Sequence, residues 1–341
     1  MKILITGGAG YIGSHTIIEV LKHTNWEVIS IDNYSTSSEK TYDRITEITG
    51  KKVKYYDVDL KDFEATQQIF KENGGIGGII HFAAHKWVGD SVENPLKYYD
   101  NNLNSLINIL RCQKDFDIPN IIFSSSCSVY GNIKELPVTE NSLVAKAESP
   151  YANTKQIGED VITDFVNANQ GVKSILLRYF NPVGADMSGL NGEIQIQPNN
   201  LIPFVTQTAI GKNDCLSVYG NDYNTKDGTC VRDYIHVSDI ATAHILALKK
   251  LKDDTNYPSL DVINLGTGEG VSVLEIIHSF EKVNDLKLNY KFIERREGDV
   301  EAIYADNTKA KKVLGWELKY DLDDMMLSAW KWEKYLSENK L

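Results

Sequence analysis

The residues of this chain best placed to do chemistry lie in Ser149-Pro-Tyr-Ala-Asn-Thr-Lys155. Ser149 is a good helix N-cap and Pro150 stands where a first-turn proline is tolerated, so the sequence predicts a helix starting there. On that helix Tyr151 and Lys155 are four residues apart and share one face. An ammonium beside a phenol favours the phenolate, because opposite charge stabilises the ionised form. A tyrosine of ordinary pKa must come down by ~3 pH units, about 4 kcal/mol, to serve as a base near neutrality. One lysine in a partly dry site supplies much of that. The same pair on an ordinary amphipathic helix simply faces solvent. The elements around it decide between the two readings.

Those elements begin at the N-terminus. Lys2-Ile-Leu-Ile-Thr6 reads as a short buried strand, Gly7-Gly-Ala-Gly-Tyr-Ile-Gly13 follows, and a helical pattern runs to about His23. Gly8, Gly10 and Gly13 fit G-x-G-x-x-G between strand and helix. Their expected tasks are a tight turn, close approach of backbone to a pyrophosphate, and close helix–strand packing. The helix N-terminus presents N–H groups to phosphates, which makes Gly7, Gly10 and Gly13 candidate cofactor contacts. A second strand, Glu27-Val-Ile-Ser-Ile-Asp32, ends in an acid 19 residues after Gly13. A carboxylate there accepts from ribose hydroxyls and repels a 2′-phosphate, favouring NAD over NADP.

Further strands are predicted over 53–59, 78–83, 120–126 and 173–179, with a long helix over 95–116 and another from about 150. Apolar strands separated by helices imply an α/β fold, a Rossmann-type doubly wound parallel sheet, with ligands at the strands' C-terminal ends. Asp32, Asp59, Ala83, Ser126 and Tyr179 all fall at such ends. After Tyr179 the texture changes to a polar segment over 184–198, a helix from about Asn200, and short strands over 216–219, 261–265 and 289–293. The expected organisation is an NAD-binding domain over 1–180 and a smaller α/β substrate lobe over 181–341, with some segments crossing back.

The chain has 341 residues, 42% hydrophobic and 24% charged, as an ordinary globular protein does. Its net charge of −11 argues against a nucleic-acid or anionic-membrane surface, while an anionic small ligand needs only an arginine or two. The apolar run after Met1-Lys2 is too short for a signal peptide, and no run is long enough to span a bilayer. Cys112, Cys127, Cys215 and Cys230 have no close pairing, so reduced thiols in the cytoplasm are expected. His81 and His85 straddle a strand end, and the histidines predict no metal site.

Ser126 ends the fifth strand and Tyr151 opens the next helix, so both reach one point above a nicotinamide. There the serine donates to the oxygen being oxidised, the tyrosine takes its proton, and Lys155 tunes the tyrosine and holds the nicotinamide ribose. A dinucleotide fold with Ser, Tyr and Lys in this order resembles the extended short-chain dehydrogenases/reductases. Within them, five motifs resemble the UDP-glucose 4-epimerase family. They are Gly7-Gly-Ala-Gly-Tyr-Ile-Gly-Ser-His15, Ser91-Val with Pro95-Leu and Tyr98-Tyr-Asp-Asn-Asn102, Arg178-Tyr-Phe-Asn-Pro-Val-Gly-Ala185, Val231-Arg-Asp-Tyr-Ile-His-Val237 and Arg295-Arg-Glu-Gly-Asp299. The resemblance runs nearly end to end. It implies that Tyr11, Ile12, Asp32, Asn33, Asp59, Leu60, Phe82, Ala83, Lys86, Asn101, Ser124 and Tyr179 line NAD together with Tyr151 and Lys155. It also implies that Lys86, Ser126, Tyr151, Asn181, Asn200, Leu201, Tyr219, Arg232, Arg296, Asp299 and Ile303 meet a UDP-hexose. Arg232 and Arg296 suit a pyrophosphate physically, since guanidinium forks bind phosphate oxygens bidentately. Arg295 reads equally well as surface charge.

Related nucleotide-sugar 4,6-dehydratases carry Thr-Asp-Glu at the end of strand five, and decarboxylase relatives keep a glutamate at its last position. Here the run is Ser126-Cys127-Ser128, without a carboxylate. Oxidation at C4 then leads nowhere but back, and return of hydride to the opposite face inverts C4. Cys127 reads as a small packing residue. Ile303 stands where the resemblance places a gate beside the sugar's C2 substituent. Being of intermediate size and β-branched, it predicts UDP-galactose/UDP-glucose as the main pair, with the N-acetyl sugars as the alternative. The family also implies a homodimer, through helices near 95–116 and 149–169.

Overall fold

The computed structural model describes residues 1–194, 200–296 and 299–339. The first half of the main sheet comes from β1 (Lys2–Thr6), α1 (Tyr11–His23), β2 (Glu27–Asp32), α2 (Thr41–Thr49), β3 (Lys54–Asp57), α3 (Phe63–Glu72) and β4 (Ile76–His81). The other half follows from α4 (Val88–Glu93), α5 (Pro95–Asp115), β5 (Asn120–Ser126), α6 (Pro150–Ala168) and β6 (Lys173–Tyr179). The chain then leaves the sheet through β7 (Asn181–Val183), α7 (Leu201–Ala209), β8 (Leu216–Tyr219), β9 (Val231–Arg232) and β10 (Tyr234–His236). It returns through α8 (Val237–Asp253) and β11 (Leu260–Leu265), and ends with β12 (Val271–Ser272), α9 (Val273–Asn284), β13 (Tyr290–Ile293), β14 (Ala302–Ile303), α10 (Thr308–Leu314) and α11 (Leu322–Glu338).

Seven strands pair in the order β11-β6-β5-β4-β1-β2-β3, all parallel. Alternation along β1 explains why both faces are covered. Ile3 and Ile5 pack with Ile17 and Ile18 of α1 and Leu248 of α8, while Leu4 packs on the other face with Phe70, Ile109 and Ile162. A third core, around Val205, Ile276, Phe280 and Met326, holds α7, α9 and α11 together. The smallest core joins Val129, Tyr130, Val138 and Phe180 to Ile303 and Ala305, with Cys127 against it.

The expected strands over 120–126 and 173–179 have those limits here. The one expected over 53–59 is shorter, Lys54–Asp57, and mostly exposed at the edge of the sheet. The segments that cross back include α8 and α10, which pack on the main sheet, and β11, which pairs with β6 and completes it. The expected polar segment over 184–198 runs partly outside the described residues. No described helix is long and apolar enough to cross a membrane.

Candidate active site

Strand order reverses at β1, which pairs with β2 on one side and β4 on the other, and such a switch point opens a crevice for a ligand. The chain leaves β1 through Gly7, in the left-handed region at φ +68°, where a Cβ would sit 2.9 Å from the Ala83 nitrogen. The turn expected of Gly8 therefore falls to Gly7. A Cβ on Gly8 would lie 1.9 Å from Ser30 Oγ and one on Gly13 would lie 2.2 Å from the Gly7 carbonyl oxygen, so these two let α1 and β2 close on the turn. Gly10 differs: the Gly7 oxygen at 3.2 Å is its only near neighbour, and its outer side is open. As N-cap of α1 it brings no side-chain cap, and the first turn holds no acid. An open glycine before uncapped, unopposed N–H groups fits a pyrophosphate.

Asp32, at the end of β2, accepts from the N–H groups of Ala9 (3.0 Å) and Tyr34 (2.9 Å) and from the Ser37 hydroxyl (2.8 Å). Burial raises its pKa, against the pull of those bonds. Asn33 beside it is exposed and Ile12 is partly buried against the core below. Tyr11 donates to the Gly184 carbonyl (2.6 Å). Past β3, Leu60 is buried and Asp59 accepts from the Lys61 N–H (2.9 Å). Past β4, Phe82 lies 4.6 Å from the His244 ring and Ala83 is half-buried. Asn101 donates to Asn102 (3.0 Å), which in turn grips both backbone groups of His85 and the Thr154 hydroxyl. Lys86 is ion-paired to Glu193 and lies 5.6 Å from the centre of the Tyr11 ring.

At the end of β5, Ser126 Oγ accepts from the Ser128 N–H (3.2 Å) and the Ser128 hydroxyl (3.0 Å). Tyr151 opens α6, which Ser149 caps through the Ala152 N–H (3.2 Å). Burial pushes the Tyr151 phenol up to about 12, while its hydrogen bond with Ser126 pulls the other way. Burial also brings the Lys155 ammonium down to about 8. That ammonium donates to the Ser124 carbonyl (2.7 Å) and sits 4.9 Å from the centre of the Phe123 ring. The sequence led us to expect a phenol lowered by its lysine. Burial sets the phenol here and the lysine does not reach it, because the ammonium is turned to the Ser124 carbonyl of the strand.

Several supporting residues escaped the sequence reading. Glu159 takes hydrogen bonds from Ser125 and from Arg178, whose Nε lies 2.9 Å away. Its signal was present, since Tyr151, Lys155 and Glu159 continue one i, i+4 stripe. His244 of α8 meets the Ile240 carbonyl through Nδ1 (2.8 Å) and the Ser124 hydroxyl through Nε2 (2.7 Å). Burial holds that imidazole neutral, pushed down to about 4, so Nε2 is the acceptor. Burial likewise raises the pKa of the Tyr179 phenol, with Tyr151 adding to it.

The far end of the cleft is built by the later segments. Arg296 lies over the Tyr219 ring at 3.8 Å. Arg232 donates to the carbonyls of Val231 (2.8 Å) and Val300 (2.7 Å) and to Asp299 (2.7 Å). Ile303 is opposite Arg232 in the β9–β14 pair and buried. Asn181 opens β7, Asn200 stands at the N-cap position of α7 without a side-chain cap bond, and Leu201 begins the helix. Arg295 instead pairs with the exposed Asp222. Glu297 and Gly298, in the same motif, lie outside the described residues. Burial pushes the Cys127 thiol up to about 12, which leaves it no thiolate character near neutrality. Among the described residues no group of three or more His, Cys, Asp or Glu could hold a metal ion.

Known proteins resemble this arrangement over nearly its whole length. The family described as GDP-mannose 4,6 dehydratase matches residues 4–328. A UDP-glucose 4-epimerase of Bacillus subtilis is 47% identical over 98% of this chain and 97% of its own. Among solved structures, a UDP-glucose-4-epimerase from Stenotrophomonas maltophila with bound NAD and formylated UDP-arabinopyranose has a TM-score of 0.95 and 40% identity, covering 99% of both chains. One from Bifidobacterium longum in complex with NAD+ and UDP has a TM-score of 0.91 and 45% identity, covering 98% of both.

Proposed function

The chain belongs to the UDP-glucose 4-epimerase family of extended short-chain dehydrogenases/reductases, and from that premise we propose which of its residues perform the reaction. It is an NAD-dependent enzyme that interconverts UDP-galactose and UDP-glucose through a transient 4-keto sugar. The observation that carries our assignment is the meeting of Ser126 and Tyr151 at the same carboxyl edge of the sheet as the glycine turn, with no carboxylate at 127 or 128. Bound NAD would supply the hydride acceptor and donor for C4. Tyr151 takes the proton from the C4 hydroxyl and gives it back, and Ser126 donates to the same oxygen. Lys155 stabilises the phenolate by its charge. Asp32 holds the adenosine ribose, and the N-terminus of α1 holds the pyrophosphate.

The uridine end is assigned to Asn181, Asn200, Leu201 and the Tyr219–Arg296 stack, and the diphosphate to Arg232 and Arg296. Anchoring there would leave the 4-keto sugar free to turn over without release of the uridine diphosphate. Ile303 sets the sugar choice: its buried, stiff side chain favours the non-acetylated pair. The NAD-binding part is assigned to residues 1–180 with α8, β11 and α10 returned to it, and the substrate lobe to the remainder of 181–341. Ile107, Val161 and Phe165 leave an apolar strip across α5 and α6, edged by Arg111 and Lys114, which supports a homodimer through those helices. The four unpaired cysteines support a cytoplasmic setting.

The deciding experiment denatures purified protein to look for released NAD and follows conversion of UDP-galactose by fresh enzyme. Tyr151→Phe is expected to keep NAD and lose several orders of magnitude in kcat. Near-normal turnover in that variant removes Tyr151 from the acid–base role. A kcat/KM favouring the N-acetyl pair would overturn the reading of Ile303.

A further inference from the structure

The run that lacks the dehydratases' acids carries a hydroxyl with no task yet, that of Ser128. A serine hydroxyl offers two lone pairs and one proton. Both acceptor directions of Ser126 Oγ are filled by Ser128, through its N–H at 3.2 Å and its hydroxyl at 3.0 Å. The N–H bond is ordinary capping of the short 3₁₀ turn Cys127–Tyr130. The hydroxyl bond is not needed for capping. With its acceptors occupied, Ser126 has only its proton to offer, and the Tyr151 phenol is the group it meets. We propose that Ser128 is a positioning residue that holds Ser126 as a fixed proton donor toward the reacting oxygen. Two donors into one oxygen also polarise its own O–H, so the bond to the forming ketone strengthens.

This rests on the assignment of Ser126 to the reaction, and the test separates the two. Ser128→Ala is expected to lower kcat about fivefold, the worth of one neutral hydrogen bond, with KM and bound NAD unchanged. Ser128→Thr restores the rate. Ser128→Cys keeps the shape but donates poorly, and falls with the alanine variant. In a Ser126→Ala background the Ser128→Ala change adds nothing, because the pair acts as one unit. Full activity of Ser128→Ala, or a further fivefold loss in the Ser126→Ala background, overturns the inference alone. An unimpaired Ser126→Ala enzyme sinks the assignment of Ser126 and this inference with it.

Discussion

Replacing Lys155 by methionine removes a charge while keeping most of the side chain's bulk, and its effect can be worked from the site. Burial sets the phenol at about 12, so working near pH 7 requires a drop of about five pH units, roughly 7 kcal/mol. That starting value holds with the ammonium turned to the Ser124 carbonyl; positions four apart on a helix have Cβ atoms about 6 Å apart, and an ammonium swung toward the phenol comes to about that distance. At that separation and an effective dielectric of about 20, one ammonium supplies about 2.8 kcal/mol, close to two pH units. The NAD-loaded Lys155→Met enzyme should therefore have the acid limb of its kcat profile moved up by about two pH units and run roughly 100-fold slower near neutrality. The sign follows from the oxidation step, which needs phenolate: below its pKa the phenolate fraction grows tenfold per pH unit, so the variant recovers as pH rises. The wild-type advantage fades from the other side too, because Lys155 itself loses its proton near pH 8. Stopped-flow or discontinuous assay of UDP-galactose conversion from pH 6 to 10 measures both limbs. An acid limb that stays in place in the variant would refute the electrostatic role.

Three further outcomes follow from named contacts. Gly13→Ala should destabilise the fold, since its Cβ meets the Gly7 backbone oxygen at 2.2 Å, whereas Gly10→Ala should fold and purify without NAD. Released nucleotide and thermal melts check both. Glu159→Gln leaves the Arg178 guanidinium buried without its carboxylate, an expected loss of about 3 kcal/mol read by urea denaturation. Ile303→Gly should raise the ratio of kcat/KM for UDP-N-acetylgalactosamine over UDP-galactose, and Ile303→Tyr should lower it; steady-state kinetics on both sugars reads the ratio.

What was legible in the sequence was whatever depended on neighbours along the chain. β5 and β6 each carry a short apolar run, Ile121-Ile-Phe123 and Ile175-Leu-Leu177, buried on both faces between polar ends, and their limits could be read directly. The Ser149 cap and Pro150 placed Tyr151 on its helix for the same reason. What was not legible was settled across the fold. Leu260-Asp-Val-Ile-Asn-Leu265 has a strand's pattern, but no local signal says its partner is β6, some 80 residues earlier. The division of tasks among the glycines likewise depends on Ser30 and Ala83, which arrive from other strands. The pairing of Lys86 with Glu193 joins residues more than a hundred positions apart, and no periodicity announces it.

The choice between inversion and elimination is made by two small side chains and their surroundings. Removing water from a 4-keto sugar requires a base at C5 and an acid at C6, and strand five is where the dehydratase relatives keep them. At 127 this chain has a thiol that burial pushes up to about 12, closed in by the core of Val129, Tyr130 and Val138. At 128 it has a hydroxyl already donating to Ser126. Neither accepts a proton near neutrality, which on the assignment proposed above leaves the acid–base work to Tyr151 alone. A single acid–base that takes a proton from the C4 oxygen can only return it to the same oxygen. The ketose therefore leaves by regaining hydride at C4, and whichever face it presents after turning sets the configuration of the product.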